Sequence, residues 1–188
     1  MPIKTFSSGE VLTAADTNTY LTNSGLVFIT EAQATSGAPS LSINNCFSLT
    51  YENYRIIGKF AAATAGWPAL YYRMRVGGVD NSTANYMYSG NGRTAGNVDS
   101  SFGSSGQTNG YAGGLTGIFT MDMMSPRNSS VQSLTVGQTE FYDGTNFITR
   151  SIGNFHNVVT NFDGITFFPS SSTFTNTFQV RVYGYRQA

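Results

Sequence analysis

Hydrophobic and polar residues alternate most cleanly at the end of the chain. Phe178, Val180 and Val182 fall on one side of an extended segment, and Thr177, Gln179, Arg181 and Tyr183 on the other. A period of two marks a strand with one buried face. A strand formed last must pair with something formed much earlier. The best-matched partner is Asn53–Phe60, where Tyr54, Ile56 and Phe60 alternate with Arg55 and Lys59. Leu70, Tyr72, Met74 and Val76 repeat the pattern against Tyr71, Arg73 and Arg75, and the Gly77-Gly78 pair then turns the chain.

Shorter apolar runs fill in the rest. Leu26–Thr30 and Leu41–Ile43 read as strands, the second an edge strand running on through Cys46 and Phe47. Leu115–Met124, Val131–Phe141, Phe147–Ile152 and Ile165–Phe168 follow, and Asp143-Gly144 is a hairpin signal between two of them. In Val131–Phe141 the chain sets Val131, Ser133 and Thr135 opposite Leu134 and Val136. Residues 89–114 lack any such period. Gly, Ser, Asn and Thr dominate them, so they read as a long connection pinned by aromatics rather than as strand. Eight or so strands with frequent turns define an all-β, jelly-roll-like β-sandwich, in which an early strand pairs with the last.

The first 25 residues differ in character. Thr13 caps a helix start, Asp16 suits its positive end, and Gly25 is a left-handed stop. The expected helix is about three turns long and marginal alone. It therefore needs the β-domain, another copy of itself or another protein to lie on. The chain divides accordingly into an N-terminal attachment segment, 1–25, with a short α-helix, and a β-sandwich domain, 26–188. Phe6, Val11, Leu12, Tyr20 and Leu21 are the residues of the first part able to make that attachment.

Composition narrows the functional classes. Charged residues make up 11% of 188, and acids and bases balance at 10 each. The usual charged share is about 25%. No basic stripe of the kind nucleic acid requires is present. No apolar run approaches the ~20 residues that span a bilayer. The N-terminus lacks the apolar core of a signal peptide, which implies folding in the cytoplasm where the chain is made. A lone Cys46 beside an apolar run reads as a buried filler.

Catalytic chemistry needs grouped titratable side chains. His156 is the only histidine and has no ligand partner at metal-binding spacing, so no metal or other cofactor is expected. The acids Glu31, Glu52, Asp80, Asp99, Asp122, Glu140, Asp143 and Asp163 stand singly. A paired-carboxylate glycosidase is therefore the least favoured class, and the expectation is a protein that is not an enzyme. Trp67, between Gly66 and Pro68, together with Tyr86, Tyr88 and Tyr111, forms the candidate set for contact with a glycan or receptor. Against that stands the plainer reading of Trp67 as a lid on the sandwich core.

Two parts of the chain carry a resemblance. Phe6-Ser7-Ser8-Gly9-Glu10-Val11-Leu12-Thr13-Ala14-Ala15-Asp16, leading to Asn18 and Leu21, resembles the N-terminal segment of many tailed-bacteriophage virion proteins. Phe47–Ile56, Arg75–Gly78, Asn81–Tyr86, Phe162–Ile165 and Val182–Arg186 resemble small phage structural proteins of the minor tail, tail-fibre or head-decoration type. The resemblance covers most of the chain, least in the glycine-rich middle, and its matched positions are framework positions with no catalytic residue among them. It implies a virion component assembled in the host cytoplasm, a homotrimer with its N-terminal segment toward the particle and its sandwich outward. Its implied partners are copies of itself, other virion proteins and, for a tail tip, host-surface glycan.

Overall fold

The structure is a computed structural model. It describes residues 7–11, 13–16, 25–61, 68–94, 97–105, 116–142, 144–175 and 177–186, with residues 16, 92–94 and 97–105 described by their backbone only. Within them the chain is a two-sheet β-sandwich preceded by one helical turn, α1 (Ala14–Asp16). The expected continuation of that helix, and Phe6, Leu12, Tyr20 and Leu21 with it, lie outside the described residues. Gly25, the expected stop, has φ 89° and opens onto the first strand.

The larger sheet has eight antiparallel strands. In spatial order these are β1 (Leu26–Gln33), β12 (Gln179–Tyr185), β3 (Asn53–Ala61), β8 (Thr116–Met124), β9 (Leu134–Tyr142), β10 (Phe147–His156), β6 (Tyr86–Thr94) and β7 (Asn97–Ser105). The smaller sheet runs β2 (Leu41–Ile43), β11 (Gly164–Pro169), β4 (Leu70–Val76) and β5 (Val79–Asp80). The last strand pairs with β3, with Val182 opposite Ile56 and Val180 opposite Gly58. This is the pairing that the alternation of both segments demands.

The core lies between the sheets. Ile56, Met121, Val180 and Val182 of the larger sheet meet Met74, Ile165 and Phe167 of the smaller one, all buried. Phe167 packs on Phe119 at 5.4 Å between ring centroids and on Phe178 at 6.0 Å. Tyr72 reaches across the sandwich and donates a hydrogen bond to Thr135 Oγ1 at 2.8 Å. That bond satisfies two polar groups that burial would otherwise penalise.

On the outside of the smaller sheet, Arg75 donates to Ser42 Oγ at 2.8 Å and to Asn44 Oδ1 at 2.9 Å, and also to Asp80 and Thr166. One guanidinium thereby ties together the strands β2, β4, β5 and β11. Gly77 and Gly78, with φ 56° and 81°, form the two-residue turn between β4 and β5. Such a turn needs both central residues in the left-handed region.

Two expectations are corrected, and an alternation left open by the sequence is decided. The glycine-rich stretch is not a wandering connection over its first half: β6 and β7 pair along their whole length, from Tyr86 opposite Ser105 to Thr94 opposite Asn97. A ladder of main-chain hydrogen bonds needs no apolar side chains, so the missing period concealed it. The strand β2 ends at Ile43 rather than running on to Phe47, because Asn45 adopts φ 54° and breaks the extended chain. In β9 the hydroxyl residues face inward: Thr135 and Thr139 are buried, whereas Leu134 and Val136 are exposed. Thr139 donates to the Ile118 carbonyl at 3.1 Å, and Ser133, just before the strand, donates to the Ser125 carbonyl at 3.3 Å, so these inward hydroxyls are satisfied.

Candidate functional site

Antiparallel register decides what the outer face of the larger sheet presents. Arg55 lies opposite Asp122, Asp122 opposite Val136, Val136 opposite Gly153, and Gly153 opposite Ser89. These positions form one row across β3, β8, β9, β10 and β6. One step along the strands, a second row follows the same register through Thr120, Gln138, Ser151 and Asn91. Both rows point away from the core, since their strand neighbours Ile56, Met121, Thr139 and Ile152 are buried.

The two rows line an open trough of about 740 Å³. It crosses five strands at right angles to the chain direction, a span of roughly 19 Å at about 4.8 Å per strand. Its floor is low over β10 and β6, where Gly153, Ser151 and Ser89 carry small side chains or none. Its standing side chains are amides, hydroxyls, one ion pair and the exposed apolar Val136.

That pair is Arg55 with Asp122. Arg55 Nε lies 3.3 Å from Asp122 Oδ1, and both side chains remain about a third exposed, at 38% and 30%. Asp122 also accepts a 2.6 Å hydrogen bond from Tyr185. Burial first, and then this bond, push the Tyr185 phenol above its ordinary range. The carboxylate is thus held from two sides. Next to Arg55 in the row stands Tyr183, whose ring meets the exposed Phe28 edge-on at 5.7 Å.

Apolar side chains border the trough at both ends of the strands. Met124, Leu134 and Met87 stand on one side, and Ile118, Tyr142 and Phe147 on the other, all exposed. Exposed apolar residues grouped in this way mark contact surfaces more often than scattered ones do.

The residues singled out from sequence are distributed differently. Tyr86 is 1% exposed and is corrected from a contact residue to a core one. Its hydroxyl accepts from Met74 N at 2.9 Å and donates to the Asn81 carbonyl at 2.9 Å, which fixes the ring inside. Tyr88, on the same strand, is half-buried. Its register partner, Asn154, is a buried residue, so Tyr88 sits on the sandwich side of the sheet, away from the trough. Trp67 and Tyr111 lie outside the described residues. Val11 is 77% exposed.

His156 is buried between Tyr86 and Phe162, with ring centroids at 4.7 and 4.8 Å. Its Nδ1 is 2.8 Å from the Val158 carbonyl, and burial lowers its pKa. Cys46 is buried too, and burial pushes its thiol up to about 12. Neither group can take part in surface chemistry. Among the described residues no three His, Cys, Asp or Glu side chains gather as metal ligands would.

No family model matches the chain, and no curated protein matches it. Two solved structures are similar in part. The catalytic domain of an endo-1,3-beta-glucanase (laminarinase) from Thermotoga petrophila RKU-1 is 11% identical, covers 79% of this chain and 69% of its own, and has a TM-score of 0.19. The laminarinase catalytic domain from Thermotoga maritima MSB8 is 12% identical, with 77% and 68% covered and a TM-score of 0.18. Likeness at that level carries no argument about what this chain does.

Proposed function

We propose that this chain is a non-enzymatic structural component of a bacteriophage virion, of the minor tail or tail-fibre type. In this reading the sandwich faces outward, residues 1–25 attach it to the particle, and three copies assemble together. One observation carries the reading: the outer face of the eight-stranded sheet bears exposed apolar side chains on both borders, uncovered among the described residues. An exposed face of this kind suits a subunit that packs against copies or neighbours. The resemblance of Phe6–Asp16 and of the framework segments to phage virion proteins supports the same role.

The chemistry of the trough also favours a role without catalysis. Hydrolysis of a glycosidic bond uses two carboxyl groups flanking the bond. The described lining of the trough offers one, Asp122, and it is engaged by Arg55 and Tyr185. Immunogold labelling of intact particles with an antibody to the sandwich domain tests the proposal. Label on the tail is the expected result, label on the head favours a capsid decoration protein instead, and unlabelled particles overturn the reading.

A further inference from the structure

From the strand order we infer how the copies join: β1 of one copy pairs antiparallel with β7 of the next, so that the eight-stranded sheets continue into one another around a closed ring. This junction rests on the three-copy assembly proposed above and names the surface that closes it. The two sheets end differently. A sheet edge offers a row of unpaired main-chain N–H and C=O groups, and proteins blunt such edges with short strands, proline or lysine. The smaller sheet ends in β2 and β5, strands of three and two residues. The larger sheet ends in β1 and β7, strands of eight and nine residues that contain neither proline nor lysine. Among the described residues β1 pairs with β12 alone and β7 with β6 alone. One sheet is closed to strand addition, and the other is open to it on both sides.

Direction makes the two long edges complementary. Every pairing in the larger sheet is antiparallel. Strands so paired alternate in direction, so the first and the last of eight run opposite ways. A copy turned about an axis parallel to the strands keeps its own strand directions. It therefore brings its β1 antiparallel to the β7 of its neighbour, and repeating the operation closes a ring. A two-fold axis across the strands would instead pair β1 with β1, or β7 with β7.

Register agrees with that operation. The row that begins at Glu31 passes through Thr120, Gln138 and Ser151 and ends at Ser100. The neighbouring row begins at Phe28, passes through Arg55, Asp122 and Gly153 and ends at Phe102. Rotation with no slip along the strands sets Glu31 of one copy level with Ser100 of the next, and Phe28 level with Phe102. The bulge between Phe28 and Thr30 lets β1 span with one extra residue the same two rows that β7 spans. Phe28 is exposed in the single chain, and aromatic positions facing one another across strands stabilise a pair. The junction also continues the outer face from copy to copy, the face already given to assembly.

Glu31→Cys and Ser100→Cys test the junction in the full chain. Opposed residues on antiparallel strands lie about 4.5–5.5 Å apart between Cα atoms, within disulfide reach. Cys46 is buried and stays out of the reaction. The double variant and each single variant are oxidised and run on a non-reducing gel, after circular dichroism confirms that each folds. Hydrogen exchange of the wild-type protein, followed by mass spectrometry, reads residues 26–33 and 97–105 without any substitution.

The double variant is expected to give covalent species of two and three chains and none larger, and the single variants none. Both edge segments of the wild type should exchange within about tenfold of the interior strand β9. Cross-linking by Glu31→Cys alone, which would pair β1 with itself, overturns the inference. So does a double variant that forms no cross-link, or an edge segment that exchanges like unprotected chain. A three-chain mass with fast-exchanging edges overturns the junction and leaves the assembly standing, whereas a single-chain mass overturns both.

Discussion

Gly58 and Phe119 face each other across the β3–β8 pair, and the phenyl ring occupies the space a side chain at position 58 would need. A Cβ on Gly58 would lie 2.2 Å from Phe119 Cε1. Phe119 is 1% exposed and packs on Phe167 of the opposite sheet, so it cannot simply swing aside. Gly58→Ala is expected to destabilise the fold by about 1–3 kcal/mol, the usual cost of overpacking. Adding Phe119→Leu should recover part of that loss. Urea unfolding of the single and double variants measures both, and a neutral Gly58→Ala would show that the two sheets are not packed as described.

The turn between β4 and β5 allows a second test. Gly78 has φ 81°, where a β-branched residue is strained. Gly78→Val should cost about 1–2 kcal/mol. Gly77→Asn, at φ 56°, should be nearly neutral, because asparagine tolerates that region. Equal effects from both substitutions would argue against a left-handed turn.

His156 predicts a pH dependence. Burial lowers its pKa below the ordinary 6.5, so the unfolded chain takes up a proton that the folded one resists. Its contribution to stability is complete above that value. It is lost as pH falls from about 6.5 through the folded-state pKa. The thermal midpoint should fall between about pH 7.5 and about pH 5, and His156→Phe should flatten that part of the curve. An unchanged slope in the variant would contradict the buried, neutral imidazole.

Cys46 predicts inertness. With its thiol pushed up to about 12, almost none is thiolate at neutral pH. A disulfide reagent such as dithionitrobenzoate should leave the native protein unlabelled and modify it fully in denaturant. Rapid labelling of the native protein would place Cys46 at the surface.

Much of this architecture was legible in the chain because burial and period agree. Val180 and Val182 alternate with polar residues, and so do Ile56 and Phe60, and the structure pairs these two strands. The hairpin at β6 and β7 was not legible. Ser89, Gly90, Asn91 and Gly92 form a ladder through backbone groups that any residue carries. Tyr86 was misread for the same reason: beside a stretch resembling a loop, a core aromatic looks like an exposed one. The trough had no local signature either. Arg55, Ser89, Thr120, Gln138 and Ser151 come from five strands, and only the sheet register brings them together. One signal was present, Thr120, Asp122, Gln138, Ser151 and Gly153 at mid-strand outward positions of β8, β9 and β10, but exposed apolar residues such as Val136 and Ile118 share those faces, and register alone turns such a pattern into a site.

Assembly through the outer face of the larger sheet is the central claim, and the mass of the purified protein in solution tests it most directly. Sedimentation equilibrium is expected to give a single species of three times the 20.2 kDa chain. Ile118→Glu on the apolar border should shift that species toward one chain, with the fold intact by circular dichroism. A 20.2 kDa monomer at every concentration of the wild-type protein would contradict the account.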